Sequence, residues 1–263
     1  MDWLQALLLG LLQGFTEFLP VSSSGHLELG KVLLNVKNAD NLTFTVVVHG
    51  ATVLSTLVVF WREIWKLFLG TLKFKLNEET HYVLKLVVSM IPVVFVGFFL
   101  KDWVESFFTG NLVFVGAMLL VTATLLGLAH FFKPRVARPV TYLSAFIIGL
   151  AQAVATLPGI SRSGSTIATG LLIGTDKKEI ARFSFLMVLV PIIGANAMDL
   201  MDIKSGAVQN SIGAAELIIG FLAAFISGLL ACSWMINLVK KGKLIWFAIY
   251  CTVVGVLAII LGA

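Results

Sequence analysis

Charged side chains are scarce in this chain of 263 residues: Asp, Glu, Lys and Arg make up 13% of it. In a typical soluble globular domain they make up about a quarter. Hydrophobic residues account for 59% of the chain, and the mean hydropathy is +0.99. This composition excludes an ordinary soluble domain and predicts an integral membrane protein.

Cysteine is also rare, and the two present, Cys232 and Cys251, lie in apolar runs without the spacing of metal ligands. We therefore expect both to be small buried hydrophobic residues. The ten-residue alternation of a membrane β-barrel is absent. The N-terminus has neither a basic region before its first apolar stretch nor a small-residue cleavage site, so we expect no cleaved signal peptide.

Long apolar runs dominate what is present, and six of them predict full membrane crossings as helices. The predicted crossings span residues 42–61, 82–100, 110–132, 181–200, 214–238 and 244–262. The predicted fold class is therefore an all-α integral membrane protein with six transmembrane helices.

Two further apolar regions, 3–34 and 140–174, are each broken near the middle by a polar segment. The first break is Gln13-Gly-Phe-Thr-Glu17-Phe-Leu-Pro-Val-Ser-Ser-Ser-Gly-His26, and the second runs from Gln152 through Pro158-Gly-Ile-Ser-Arg162-Ser-Gly164. Each half is too short to span a bilayer, and a broken helix at that depth is tolerated only where protein or a cavity surrounds it. We predict two re-entrant helical hairpins.

The order of these elements predicts an inverted-topology repeat within a single polytopic domain, 1–263. Repeat one covers about 1–132 and repeat two about 140–263, and each holds one hairpin followed by three crossings. Because three is odd, the hairpins enter from opposite faces and meet near the midplane. Glu17 and His26 should therefore lie close to Arg162.

Basic residues predict the orientation. Thirteen of the 19 Lys and Arg residues fall in loops assigned to one side, which the positive-inside rule makes cytoplasmic. Both termini and the mouth of the first hairpin then face outward. The net charge of +5 follows from this asymmetry, so it is no evidence for nucleic-acid binding; membrane lipids, including those of an anionic inner leaflet, are the expected surroundings.

Each polar segment places hydroxyl groups and a glycine before a new apolar stretch, which is typical of a helix N-terminus. Two such termini that converge with free N–H groups would bind phosphate. The predicted phosphate-binding residues are Ser22, Ser24, Gly25, Ser161, Ser163, Gly164, Gln13 and Gln152.

Four residues are the catalytic candidates. Arg162 matches phosphate oxygens and would stabilise transition-state charge, unless it only neutralises a structural carboxylate. Glu17 could hold a divalent cation, Mg²⁺ or Ca²⁺, or accept a proton, and its pairing with Arg162 is compatible with either role. His26 could serve a serine as base, protonate a leaving group or ligate the cation. Ser23 is a nucleophile or a phosphate ligand.

Four other polar residues of the apolar regions are weaker candidates, for which we expect structural roles. They are His49, Glu28, Asn196 and Asp199.

The runs Glu17-Phe-Leu-Pro-Val-Ser-Ser-Ser-Gly-His26 and Pro158-Gly-Ile-Ser-Arg162-Ser-Gly164 resemble the two signature motifs of the undecaprenyl-pyrophosphate phosphatase family of bacterial inner membranes. The resemblance implies hydrolysis of undecaprenyl pyrophosphate to the monophosphate carrier for peptidoglycan synthesis. It further implies a divalent-cation requirement, bacitracin resistance, and functional roles for Glu17, Ser23, His26 and Arg162. Gln13 occupies the first place of the family's acidic pattern, where Glu or Gln is found, so this chain would bind its cation with less charge.

Three other functions compete with this one. Broken helices in an inverted repeat also suit a transporter of polyprenyl phosphate, although a Glu, Ser and His within ten residues favour hydrolysis. The phosphatidic-acid phosphatase type needs a second histidine after its arginine, and the stretch 163–179 has none. A serine protease is the weakest alternative, because this sequence has no Gly-x-Ser-x-Gly motif paired with a helical histidine in a later crossing. The oligomeric state stays open, with a homodimer as the assembly to test.

Overall fold

The chain folds into a series of helices, as seen in a computed structural model that describes residues 1–36, 41–107, 110–132, 137–204 and 212–263. The helices are α1 Trp3–Phe18, α2 Ser23–Leu33, α3 Asn41–Val59, α4 Trp61–Thr71, α5 Glu78–Phe99, α6 Lys101–Glu105, α7 Leu112–Phe131, α8 Tyr142–Val154, α9 Arg162–Leu172, α10 Lys177–Met187, α11 Leu189–Lys204, α12 Ala214–Lys241 and α13 Ile245–Gly262. Within the described ranges the only β pairing is one isolated bridge between Arg138 and Thr175.

In the part of the chain that the structure describes, six helical segments are long and apolar enough to cross a membrane, which confirms the six predicted crossings by length and composition. They are Leu42–Val59, Glu78–Phe99, Leu112–Phe131, Lys177–Met198, Ala214–Val239 and Ile245–Gly262. The chain is therefore an all-α, multi-pass membrane protein.

The fourth crossing is not the continuous helix that was predicted over 181–200. It begins earlier, at Lys177, and consists of α10 and α11 separated at Val188. Pro191 explains the break, because its nitrogen has no hydrogen for the carbonyl of Met187 and its ring crowds that carbonyl.

Both interrupted regions form a helix, a break and a second helix. The first pair is α1 and α2, and the second is α8 and α9. The outer ends of each pair meet: the Gln5 side-chain amide donates to the Leu34 carbonyl at 2.9 Å, and the Arg138 N–H donates to the Gly174 carbonyl at 2.9 Å. Each pair is thus a hairpin whose chain enters and leaves side by side. Its re-entrant position in a bilayer stays a prediction, as do the repeat boundaries.

The two halves of the chain pack against each other through three extensive helix–helix contacts. Helix α1 packs along α12 of the second half, α8 packs along α5 of the first half, and α7 packs against α13. Close approach in the last pair requires Gly116 and Gly255. A Cβ atom on Gly116 would lie 2.6 Å from the Gly255 carbonyl oxygen, and one on Gly255 would lie 2.9 Å from the Gly116 carbonyl oxygen.

This contact predicts that Gly116→Ala destabilises the protein, by about 1–3 kcal/mol, because the backbones of α7 and α13 must separate. Gly127 lies on the same helix, and a Cβ atom there would have no neighbour within 4 Å. Gly127→Ala is therefore the matched control, and we expect it to be neutral or slightly stabilising. Thermal unfolding in detergent measures both. Equal melting temperatures for the two variants would contradict the packing argument.

Candidate functional site

The second helix of each hairpin begins with a serine cap, and the two caps make the same side-chain hydrogen bond 139 residues apart. Ser22 accepts from the Gly25 N–H at 3.3 Å, and Ser161 accepts from the Gly164 N–H at 3.0 Å. In each case the capping oxygen lies 3.3 Å from the hydroxyl two residues later, that of Ser24 or Ser163. Helices α2 and α9 therefore begin in the two serine-rich runs, as predicted, and the positive end of each helix dipole lies there.

These two N-termini lie against one another. A Cβ atom on Gly25 would be 3.0 Å from the Gly159 Cα, so the start of α2 touches the break before α9. Ser163 donates to the Leu19 carbonyl at 3.2 Å, which ties α9 to the break after α1. Thr122 of α7 donates to the Gly159 carbonyl and accepts from the Ser161 N–H, at 3.2 and 3.0 Å. Both breaks are thus held together by α7 and by each other.

Ser22 has a backbone φ of +71°, in a region that side-chain-bearing residues rarely adopt. Such strain persists only where the surrounding structure fixes it. Here Ser22 caps α2 through its side chain, and its carbonyl accepts from the His26 N–H at 3.1 Å and the His26 Nδ1 at 2.8 Å. The turn into α2 is consequently tightly held.

Glu17 and Arg162 form the central contact of the site. Arg162, the first residue of α9, donates to the Glu17 Oε1 at 3.0 Å, and the glutamate side chain is only 10% exposed. Glu17 lies in the last turn of α1. The structure therefore brings together the carboxylate and the guanidinium that the repeat argument placed side by side, across 145 residues of sequence.

The other oxygen of Glu17 is held by two neighbours from its own hairpin. Its Oε2 accepts from the Ser23 hydroxyl at 2.5 Å and from the Gln13 amide at 2.9 Å. Ser23 and Gln13 thus both face the carboxylate. A hydroxyl that donates to a carboxylate at this distance is placed to lose its proton to it.

His26 faces away from this cluster. Its Nδ1 donates to the Ser22 carbonyl, and its Nε2 lies 2.9 Å from the hydroxyl of Tyr250, whose ring stacks on the imidazole at 5.5 Å between centroids. The hydrogen bonds described for the ring thus go to neither Ser23 nor Glu17. Sequence reasoning missed Tyr250, because a single tyrosine in the apolar run of α13 carries no local signal for a site.

His49 lies beside the site, although sequence reasoning gave it a structural role. Its Nε2 is 3.8 Å from the Glu17 Oε2, and its Nδ1 lies 2.8 Å from the Thr45 carbonyl oxygen. The signal that could have raised its rank is an ionisable group inside a predicted crossing, which usually faces a cavity or a partner.

The remaining polar candidates differ in whether they lie near the site. Gln152, the repeat counterpart of Gln13, is 1% exposed, and neither polar atom of its side chain has a hydrogen-bond partner. Glu28 pairs with Lys31 at 3.2 Å on α2, as a structural role predicts. The Asn196 amide lies near Gly50. The side chain of Asp199 lies outside the described residues.

Two cavities meet at the Glu17 and Arg162 side chains. The smaller, of about 200 Å³, is lined by the serines of both N-termini with Thr16 and Ile160. The larger, of about 470 Å³, is lined by Gln152, by hydroxyls of α3, α9 and α10 and by apolar side chains such as Phe18 and Phe185. The polar cavity is suited to a phosphate group, since hydroxyls, helix N-termini and an arginine converge on it.

The fold and this site together define a class: a helical membrane protein in which two broken helices bring capped N-termini and a carboxylate–guanidinium pair into a buried polar cavity. The chemistry of such a site is suited to an anionic group.

Comparison with known proteins gives the family. Residues 6–257 match the family described as bacitracin resistance protein BacA, and the chain belongs to that family. An undecaprenyl-diphosphatase of Bacteroides fragilis is 57% identical over 261 residues, covering 99% of this chain and 98% of the relative. The undecaprenyl-diphosphatase of Bacteroides thetaiotaomicron is 56% identical, with 99% of each chain covered. That of Halothermothrix orenii is 38% identical, covering 99% of this chain and 98% of the relative.

The Glu17–Arg162 pair predicts a measurable coupling in stability. Glu17→Gln leaves a guanidinium without its counter-ion and Arg162→Met leaves a carboxylate without its own, so each single variant should be destabilised. The double variant should recover part of that loss, with a coupling free energy of about 1 kcal/mol or more. The four proteins are compared by thermal unfolding in one detergent. Additive losses would show that the pair does not couple in the folded protein.

Proposed function

We propose that this chain hydrolyses undecaprenyl pyrophosphate to undecaprenyl phosphate and inorganic phosphate, which recycles the lipid carrier for peptidoglycan synthesis and accounts for the bacitracin-resistance family name. The observation that carries the proposal is the Glu17–Arg162–Ser23 cluster at two converging helix N-termini. Full-length relatives with the undecaprenyl-diphosphatase name support the lipid substrate. They do not favour the alternative of a polyprenyl-phosphate transporter.

The pyrophosphate would bind in the polar cavity between the capped N-termini. Its lining includes Ser22, Ser24, Ser161 and Ser163, which lie at the N-termini of α2 and α9, where a helix has free N–H groups. Gly25 and Gly164 allow the two backbones to approach. Arg162 would stabilise the negative charge that spreads over the phosphoryl oxygens during transfer.

Ser23 is the nucleophile that the geometry supports best. Its hydroxyl already donates to Glu17, so the carboxylate can take the proton as the serine oxygen attacks the terminal phosphorus. The bond between that phosphorus and the bridging oxygen breaks, and undecaprenyl phosphate leaves. Glu17 gives the proton to the departing undecaprenyl phosphate and is ionised again. It then takes a proton from a water molecule whose oxygen attacks the phosphorus. The bond from phosphorus to the Ser23 oxygen breaks, inorganic phosphate leaves, and the serine oxygen regains the proton from Glu17.

The sequence suggested His26 as a general base, whereas in this proposal His26 has a positioning role. Its ring fixes the Ser22 carbonyl and meets Tyr250 of the second repeat, so it holds the N-terminus of α2 in place. Glu17 is the closer base for Ser23. Gln13 orients the carboxylate, and Gln152 offers an unpartnered amide to the larger cavity beside Arg162.

A divalent cation, Mg²⁺ or Ca²⁺, would be held by Glu17 together with substrate oxygens. The donor set fits in part: a carboxylate, an amide oxygen and several hydroxyls are hard oxygen ligands, and Mg²⁺ commonly takes only one or two carboxylates with the rest from phosphate and water. No cluster of three His, Cys, Asp or Glu occurs among the described residues. When bound, the cation would neutralise charge on the pyrophosphate.

Placement in the bacterial inner membrane, with both termini outside and the site open to the periplasm, also belongs to this proposal. Its support is the uneven distribution of basic residues along the sequence. A homodimer is proposed as the assembly, to be tested by the mass of the detergent-solubilised particle.

Phosphate release from undecaprenyl pyrophosphate by the purified protein is the decisive measurement. Arg162→Ala should lower the rate about 10³-fold or more, because an arginine that stabilises transferring phosphoryl charge has an effect of this size. Arg62→Ala, which removes an exposed arginine from α4, should leave the rate unchanged. A folded wild-type protein that releases no phosphate with Mg²⁺ or Ca²⁺ present would overturn the proposal.

Access to the site predicts a labelling pattern in intact cells. Leu33 at the end of α2 and Leu76 between α4 and α5 are both well exposed, at 73% and 77%. A membrane-impermeant thiol reagent added outside should label Leu33→Cys and leave Leu76→Cys unlabelled until the membrane is opened. The native Cys232 and Cys251 are buried and form the background. Labelling of Leu33→Cys only from the cytoplasmic side would reverse the orientation.

A further inference from the structure

His49 is the ionisable side chain at the site that the proposed reaction does not yet use. It projects from α3, a crossing, and its side chain is only 15% exposed. Its Nε2 lies 3.8 Å from Oε2 of Glu17, the carboxylate oxygen on the side of Ser23 and Gln13.

The other ring nitrogen of His49 fixes which atom faces the carboxylate. Nδ1 lies 2.8 Å from the carbonyl oxygen of Thr45, and a carbonyl can only accept, so Nδ1 carries a hydrogen. In the neutral form of the ring Nε2 then carries the lone pair, and Nε2 is the ring nitrogen that lies 3.8 Å from Glu17. An imidazole that donates one N–H to a backbone carbonyl and presents the other nitrogen to a carboxylate has the arrangement of a metal-ligating histidine.

Gln13 supplies an independent observation at the same point. It is fully buried, its amide nitrogen contacts the Glu17 Oε2, and its Oε1 has no hydrogen-bond partner. Rotation of the amide by half a turn exchanges its nitrogen and oxygen. A third acceptor would then lie beside the carboxylate oxygen and the imidazole nitrogen.

We propose that Glu17, His49 and the amide oxygen of Gln13 together bind the divalent cation, as a mixed nitrogen and oxygen site. The inference rests on the proposed function, since it specifies the ligands of the cation that the reaction would use. Water and pyrophosphate oxygens complete the coordination. An imidazole ligand raises affinity for a transition ion such as Mn²⁺ relative to Ca²⁺, which takes oxygen ligands.

Mn²⁺ alone is the probe, because it reports its own ligands. Pulsed electron paramagnetic resonance of Mn²⁺ added to the purified full-length protein should show the ¹⁴N coupling of a bound imidazole. His49→Gln should remove that coupling and weaken Mn²⁺ binding about tenfold or more, while Ca²⁺ affinity changes less. His81→Gln, which alters a histidine bonded to Tyr142 outside the site, should keep both coupling and affinity. His49→Asn serves as a second variant should the first fail to fold.

The outcomes separate this inference from the proposed function. Mn²⁺ that binds without ¹⁴N coupling, or with a coupling that persists in both folded His49 variants, would overturn His49 as a ligand while phosphate release stands. Mn²⁺ that binds wild type and Glu17→Gln equally would overturn the whole site. A wild-type protein that binds no Mn²⁺ yet releases phosphate in excess chelator would show that the reaction uses no cation.

Discussion

The ion pair between Glu17 and Arg162 is the interaction on which the rest of the site depends. A carboxylate or a guanidinium alone would be costly among apolar helices, and each is acceptable here because the other lies 3.0 Å away. One partner ends α1 and the other begins α9, so the pair also joins the two hairpins. The same ion pair therefore neutralises two buried charges and joins the end of α1 to the start of α9.

The breaks between the helices of each hairpin obey the same requirement, that buried polar groups find a partner. Helix N-termini have unpaired N–H groups, which the membrane region cannot solvate, and Ser22 and Ser161 satisfy them in matching fashion. Residues of both N-termini line the polar cavity, whose hydroxyls and arginine suit phosphate. Thr122, from a crossing that belongs to neither hairpin, bonds the backbone on both sides of Ile160 and so keeps the second break in place.

The two halves of the chain contribute different chemistry to the site. Ser22, Ser24 and Gly25 correspond to Ser161, Ser163 and Gly164, whereas Ser23 corresponds to Arg162 and Glu17 to Thr156. The capping groups are duplicated, while the reactive hydroxyl and carboxylate come from one half and the guanidinium from the other. Family membership agrees with a site of this kind, and the Glu17–Arg162 contact that completes it needs both halves of the chain.

The fold class, the number of crossings and the starts of two helices could be predicted from the sequence. Composition and run length predicted a helical membrane protein with six crossings, since only helices and closed barrels satisfy the backbone in hydrocarbon and apolar runs of this length are typical of helices. Serine, glycine and proline spacing determined where α2 and α9 begin, and Pro191 could have marked the break in the fourth crossing. These features are local, so nearby residues suffice to predict them.

Only the tertiary structure decided which side chains meet. His26 lies within the signature motif yet turns toward Tyr250, 224 residues away, and His49 lies outside the motif yet faces Glu17. The direction of a side chain depends on which helix packs beside it, and that depends on the assembly of distant crossings. For this reason the sequence could name the motif, whereas the partners of each residue in it came from the fold.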